Sequence, residues 1–295
     1  MVRLPDFVII GAQKCGSTTL HQDLRQHPEV FMPECKEVGG LRCEAVLTTR
    51  GMKSYSDYFR HATSIQLCGE AATAYSKIPK FQGIPKIAYE LLGENLKIIY
   101  LVRDPIKRII SHHAHIFSSG KVSPDVNEAV KIYPNFINYS SYAMQLNAWL
   151  EYFPPKNIRI VHFESYVNNR AYVVEQLLAF LGLPPEKLIR NFDAVYNRAE
   201  DRRQLAGFLR KLSVTKTYKA FLQPMIPSNL RKPLRNMLTS PAPLPEARLS
   251  LETRDWLTCQ LRNDQEMFAE ILGLKTIEWW DGSWPLGPVC APKRI

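Results

Sequence analysis

The sequence predicts a three-layer α/β fold, a central parallel sheet flanked by helices, and three observations predict it. Apolar runs at Phe7 to Ile10, Leu67 to Ala71, Ile98 to Val102 and Ile158 to Phe163 alternate with stretches of helical spacing. Strands interleaved with helices in this way pair in parallel through right-handed crossovers. The first run breaks at Gly11 into a short loop carrying Lys14 and Gly16, followed by Ser17, Thr18 and Thr19. The third run is followed by Arg103 and then Pro105, a residue that suits the first turn of a helix.

In chain order, the first strand leads through the loop to a helix over Ser17 to Gln26. Pro28 to Leu67 reads as a long irregular stretch with helix only around Met52 to Phe59, and loops this long in compact domains are usually functional. A short strand near Leu67 to Ala71 and a helix from Pro85 to Leu92 precede the strand that ends at Val102. Ser118 to Pro134 reads as a mobile excursion. A helix over Tyr139 to Phe153 leads into the last strand, and Ala171 to Leu181 is an amphipathic helix ended by Gly182 and Pro184. From Pro224 to Pro245, six prolines mix with Arg231, Lys232 and Arg235, a composition that favours a linker or surface loop over a lid. A helix over Leu251 to Leu272 packs back, and Trp279, Trp280 and Trp284 are expected to bury against the body. The whole, 1–295, is expected to be one domain with its core over about 5–185 and a less regular part over 186–295.

Composition narrows the function classes. A formal charge of +10 and a pI near 9.3 point to an anionic ligand or polymer. Nucleic acid is not expected, because no zinc finger, RNP signature or basic-aromatic repeat is present. The six cysteines show neither C-x-x-C nor His-pair spacing, so reduced thiols are expected and no metal site. No apolar run approaches the roughly 20 residues of a membrane span, and the N-terminus passes almost directly into the first strand, so no membrane association and a cytoplasmic setting are expected.

The Gly11 to Thr19 segment has the grammar of an anion site. A strand feeding a Gly-bounded loop and then a helix aims successive N–H groups and the helix's positive end at one point. A nucleoside-triphosphate loop reads G-x-x-x-x-G-K-[ST]; here Gly11 and Gly16 keep the spacing, but Ser17 stands in place of the Lys and the charge has moved to Lys14. This suits a phosphate without the usual Mg²⁺ arrangement. Ser and Thr at 17–19 also suit a helix N-terminus without any ligand. In open α/β sheets ligands bind beyond the carboxyl ends of strands, which places Lys14 and Arg103 at one crevice. Ser111 lies about two turns into the following helix. Asp104 reads as a helix-capping residue.

With these two segments in this order, the chain resembles the sulfotransferases that use 3′-phosphoadenosine 5′-phosphosulfate (PAPS), whose fold is P-loop-like. It is most similar to the carbohydrate and heparan-sulfate branch and its bacterial relatives. Lys36-Glu37-Val38, Gly69-Glu70-Ala71-Ala72-Thr73-Ala74-Tyr75 and Val161-His162-Phe163-Glu164 extend the similarity. The resemblance implies a sulfuryl transfer from PAPS, leaving PAP (adenosine 3′,5′-bisphosphate), to a hydroxyl or amine of a small-molecule or glycan acceptor, without a metal. It implies that Lys14, Cys15, Gly16, Ser17, Thr18 and Thr19 cradle the 5′-phosphosulfate and that Arg103 and Ser111 hold the 3′-phosphate. Lys14 would stabilise the leaving group and Glu37 would be the base, its carboxyl raised by partial desolvation. His112, His113, His115 and Glu70 are alternatives, Glu70 also as a residue orienting Lys14 or the acceptor. Gly39, Gly40 and Ala71 depart from the branch, which leaves the acceptor open. Rival functions are a P-loop kinase or NTPase, and a non-catalytic polyanion-binding protein.

Overall fold

A computed structural model describes residues 2–118, 121–189, 191–192, 203–205, 239–241 and 248–277. The expectations for the three tryptophans, and for Pro224 to Pro245 apart from residues 239–241, lie outside the described residues. The chain divides into two compact units. The first holds Met1–Ile109, Pro134–Tyr196 and Ser250–Ile295; the second holds Ile110–Tyr133 and Asn197–Leu249.

The first unit is built on a five-stranded sheet in which every pairing is parallel, with strand order β2-β3-β1-β4-β5. The strands are β1 (Phe7–Gly11), β2 (Val30–Phe31), β3 (Leu67–Ala71), β4 (Lys97–Val102) and β5 (Ile158–His162). Four of the five match the apolar runs. The two-residue β2 was not foreseen, being too short to show a period. β1 is buried throughout and β4 from Ile98 onward, as expected where helices cover both faces.

Helices α1 (Ser17–Leu24), α2 (Thr49–Ser56), α3 (Ile84–Leu92) and α4 (Pro105–Phe117) follow the strands and loops in turn. Asp104 caps α4 as expected: its Oδ1 accepts the Lys107 N–H at 3.0 Å. The predicted Ala171 to Leu181 helix is α9 (Arg170–Leu181), which ends on Gly182 at φ 79°; a separate short helix, α8 (Phe163–Asn168), precedes it and begins at Phe163, where strand was expected. Asp23 on α1 is fully buried and takes two hydrogen bonds from the Arg170 guanidinium, through Nε at 2.7 Å and Nη2 at 2.5 Å, and a third from Tyr166 Oη. That carboxylate locks α1, and with it the loop before it, onto α8 and α9.

Helices α5 (Val126–Ile132), α6 (Asn135–Asn138) and α7 (Tyr142–Leu150) occupy the next stretch, and α10 (Leu251–Leu272) is the last helix described. On α10, Asp264 accepts the Ala143 and Met144 N–H groups at 3.1 and 2.9 Å, capping α7 from a distant part of the chain.

In the second unit, α5 replaces much of the mobile excursion expected over Ser118 to Pro134. Asp125 caps it by accepting the Asn127 N–H at 2.8 Å, and Val126, Ala129 and Val130 form a buried i, i+3, i+4 stripe. The remaining described strands of this unit, β6 (Arg203–Leu205) and β7 (Thr239–Pro241), pair antiparallel.

Among the described residues no helix is long and apolar enough to cross a membrane, and no group of three or more His, Cys, Asp or Glu side chains is placed to hold a metal ion.

Candidate active site

Sheet register brings the site together. Chain order reverses beside β1, so the crevice at the carboxyl ends of β1 and β4 is the topological switch point where open α/β sheets bind ligands. In the β4–β5 pairing Val102 stands opposite His162, so Arg103 and Phe163, each one residue further on, emerge side by side. The Arg103 guanidinium lies over the Phe163 ring, 4.7 Å from its centroid.

The same ring meets the loop after β1. A Cβ added at Gly16 would lie 3.0 Å from two Phe163 ring carbons, so a side chain here would press the ring aside, and at φ 84° only glycine takes the turn without strain. Tyr142 forms a second bridge. Its hydroxyl donates to the Arg103 carbonyl at 2.7 Å and lies 4.0 Å from Cys15 Sγ. Gly16 of the loop and Arg103 therefore meet the same ring, and Tyr142 lies between Cys15 and the Arg103 backbone.

Within the loop, Lys14 is half-buried and holds φ 74°, left-handed backbone that an L residue adopts at a cost. Left-handed residues at 14 and 16 curve the chain so that N–H groups turn toward one side, a concavity suited to anions. Ser17 and Thr19 are buried and Thr18 half-buried at the start of α1. The helix is capped by Gly16 with no side-chain hydrogen bond, and no acidic residue occupies its first turn, so its positive end is not offset there. Cys15 points inward: it is fully buried, and burial pushes its thiol up to about 12. Its contribution to a ligand can come only from the backbone.

Glu164 faces Arg103, Oε1 to Nε 3.4 Å, and also lies 3.0 Å from His162 Nε2. Burial alone would raise the Glu164 carboxyl, but the His162 hydrogen bond and charge, with Arg103, hold it below the usual range. Ser111 is half-buried on α4 and belongs to the second unit. His112 and His113 are buried in that unit, where His113 Nε2 pairs with the Ser123 carbonyl at 2.8 Å.

Glu37 departs from expectation in its electrostatics. Its side chain is 43% exposed, so it is open to an acceptor. Its carboxyl is lowered, not raised. Burial works upward, but the Lys36 charge and hydrogen bond, the Thr73 N–H and Lys77 outweigh it. Lys36 Nζ lies 2.8 Å from Oε1, and Oε2 accepts the Thr73 N–H at 2.9 Å and hydroxyl at 3.3 Å. Lys77 Nζ donates to the same Thr73 hydroxyl at 3.2 Å, and burial lowers that ammonium to about 8. Glu70 does not act as an orienting partner of Lys14. It is 1% exposed and accepts from Tyr55, Tyr75 and Gly39.

Sequence reasoning missed Phe163, Glu164, Tyr142, Thr73 and Lys77 as members of the site. The rule that selected Arg103, a polar residue just past the carboxyl end of a strand, also selects Thr73 after β3 and Glu164 after β5. Tyr142 opens α7, far from any strand end, and Lys77 follows the 3₁₀ turn Thr73–Ser76 after β3, so neither stands directly past a strand and neither carries a comparable signal.

Just before Glu37 in the chain, Pro33 to Cys35 line a cleft of about 790 Å³ whose other walls include Arg25, Asp57, Tyr58 and Arg60. His21 backs this wall, its Nε2 3.1 Å from the Pro33 carbonyl, and burial lowers its imidazole to about 4. The unfolded state then binds more protons between pH 6.5 and 4, so stability is present above pH 6.5 and falls on acidification through that window, by up to about 3 kcal/mol. Thermal melts across these pH values should show this slope, and His21→Gln should flatten it. An unchanged slope would show that His21 is not its source.

Residues 4–204 match the sulfotransferase domain family, and the chain belongs to it. It is 25% identical over 248 residues to carbohydrate sulfotransferase 15 of Homo sapiens, covering 62% of this chain and 44% of that protein. It is 27% identical over 216 residues to the bifunctional heparan sulfate N-deacetylase/N-sulfotransferase of Drosophila melanogaster, covering 62% of this chain and 20% of that one. The chain thus spans less than half the length of these two relatives. A sulfotransferase from Alicyclobacillus acidocaldarius shares the fold, with a TM-score of 0.63 at 19% identity over 92% of this chain and 97% of that one.

Proposed function

We propose that this chain transfers a sulfuryl group from PAPS to a hydroxyl or amine of a glycan or small-molecule acceptor. One observation supports this most: the Gly-bounded loop of Lys14 and the guanidinium of Arg103 meet on one ring, Phe163, at the switch point of a parallel sheet. Two separate anion-binding features at one crevice suit a nucleotide with two phosphate-bearing ends. The sulfotransferase family membership supports the same donor. The donor supplies the sulfuryl group, and its bond to the 5′-phosphate oxygen breaks as a new bond to the acceptor forms.

The chain's residues position, stabilise charge and hold the proton. The 14–19 loop seats the phosphosulfate through backbone N–H groups and hydroxyls. Lys14 follows the negative charge that builds on the departing oxygen. Arg103 holds the 3′-phosphate through a planar, permanently charged fork. Glu37 takes the acceptor proton, and its lowered pKa keeps it ionised and available down to acidic pH. The cleft lined by Pro33 to Cys35, two residues before Glu37 in the chain, is the candidate seat for the rest of the acceptor.

Calorimetry of the full chain separates this reading from its rivals. PAP should bind in EDTA and ATP should not. ATP binding that requires Mg²⁺ supports a kinase or NTPase, and salt-dependent binding of any polyanion without nucleotide preference supports a passive binder. Indifference to PAP would overturn the proposal. Transfer from radiolabelled PAPS to a panel of glycans and small metabolites then identifies the acceptor.

A further inference from the structure

We infer that Glu70 is a positioning residue that fixes Glu37 through a buried carboxylate–phenol node; the inference rests on the reading of Glu37 as the base. Glu70 sits on β3 and is 1% exposed, yet among the described residues no Lys, Arg or His pairs with it. Neutral donors from three segments serve it instead. The Gly39 N–H donates to Oε1 at 2.6 Å, the Tyr75 hydroxyl lies 2.8 Å from both oxygens, and the Tyr55 hydroxyl donates to Oε2. A buried carboxylate is costly to desolvate, and burial raises this one despite the Tyr55, Tyr75 and Gly39 hydrogen bonds. An apolar side chain would fill the space without that cost, so the three accepted bonds need another explanation.

Geometry supplies one. The segment 36–41 that carries Glu37 is held to β3 and the turn that follows it at three consecutive odd residues. The Glu37 N–H donates to the Ala71 carbonyl at 3.0 Å, the Gly39 N–H to Glu70 itself, and the Leu41 N–H to the Tyr75 hydroxyl at 3.2 Å. Two of those three attachments end on the node, directly or through Tyr75. Glu37 is the first of the three and holds φ 64°, a conformation an L residue keeps only where its surroundings dictate it. Glu70 also neighbours Ala71, whose carbonyl holds the Glu37 N–H, so node and base share one strand end. A carboxylate can accept from all the donors at once. A glutamine would turn an NH₂ group toward one of them.

The test is Glu70→Gln, with Tyr55→Phe as a milder variant that keeps the carboxylate if the first fails to fold. Amide hydrogen exchange should show protection of the Glu37 and Gly39 N–H groups falling at least tenfold, with Leu20 in α1 unchanged and PAP affinity within twofold. Turnover should fall about tenfold in a wild-type background and by less than twofold when Glu37 is already Gln, the non-additivity expected of residues acting as a unit. Unchanged exchange at Glu37 and Gly39, an equal loss at Leu20, or tenfold weaker PAP binding would overturn the inference. Full additivity with Glu37→Gln would do the same. A Glu37→Gln enzyme at wild-type turnover would instead refute the base assignment, and exchange would still report separately whether Glu70 holds the segment.

Discussion

Lys14→Ala should lower turnover by about 10²–10³-fold, the usual loss when one preorganised charge-stabilising donor is removed, while PAP affinity changes only a few-fold. The separation follows from where Lys14 sits. Its backbone holds φ 74° between Gly11 and Gly16, and alanine bears the same left-handed cost as lysine, so the curved N–H concavity survives the substitution. Only the ammonium is lost. It matters least in the ground state, where charge is spread over the phosphosulfate, and most as the bridging oxygen departs. Radiolabelled sulfuryl transfer gives the turnover, and calorimetry with PAP gives the affinity. Loss of PAP binding with unchanged turnover at saturating donor would reassign Lys14 to a binding role.

Arg103→Ala should do the reverse. PAP affinity should weaken about 100-fold, or ~2.7 kcal/mol, which is what a bidentate charge-assisted pair contributes over neutral bonds. Turnover at saturating donor should stay within tenfold of wild type. The fold should tolerate the change, because Arg103 is attached through its backbone to Tyr142, and Glu164 keeps His162 as a partner. Arg103→Lys should recover only part of the affinity, since an ammonium neither forks nor stacks on Phe163 as a guanidinium does. Equal affinity in wild type and Arg103→Ala would remove Arg103 from the donor site.

The His21 slope and the Glu70 exchange experiment probe the acceptor side, where the sequence said least. Glu37 illustrates why. Its identity as a candidate came from a short local segment, and its lowered pKa comes first from its neighbour Lys36 and then from Thr73 and Lys77, more than thirty residues away and carried by the turn after β3. A sequence window around residue 37 contains Lys36 but not the fold that sets its ammonium on the Glu37 carboxylate, and nothing of the other two. The expected rise in its pKa therefore became a fall.

Local sequence carried four of the five parallel strands, the loop from Gly11 to Thr19 and Arg103. Each depends on local spacing: apolar runs of strand length, a glycine-bounded turn into a helix, and a charged residue just after a buried strand. Packing in the folded chain decided that Phe163 and Tyr142 join the loop to Arg103, and that Glu70 serves the Glu37 segment and not Lys14. Those outcomes depend on strand register and on packing between segments distant in the chain. The energies that select them, desolvation and hydrogen bonding to groups from elsewhere, exist only once the sheet has formed.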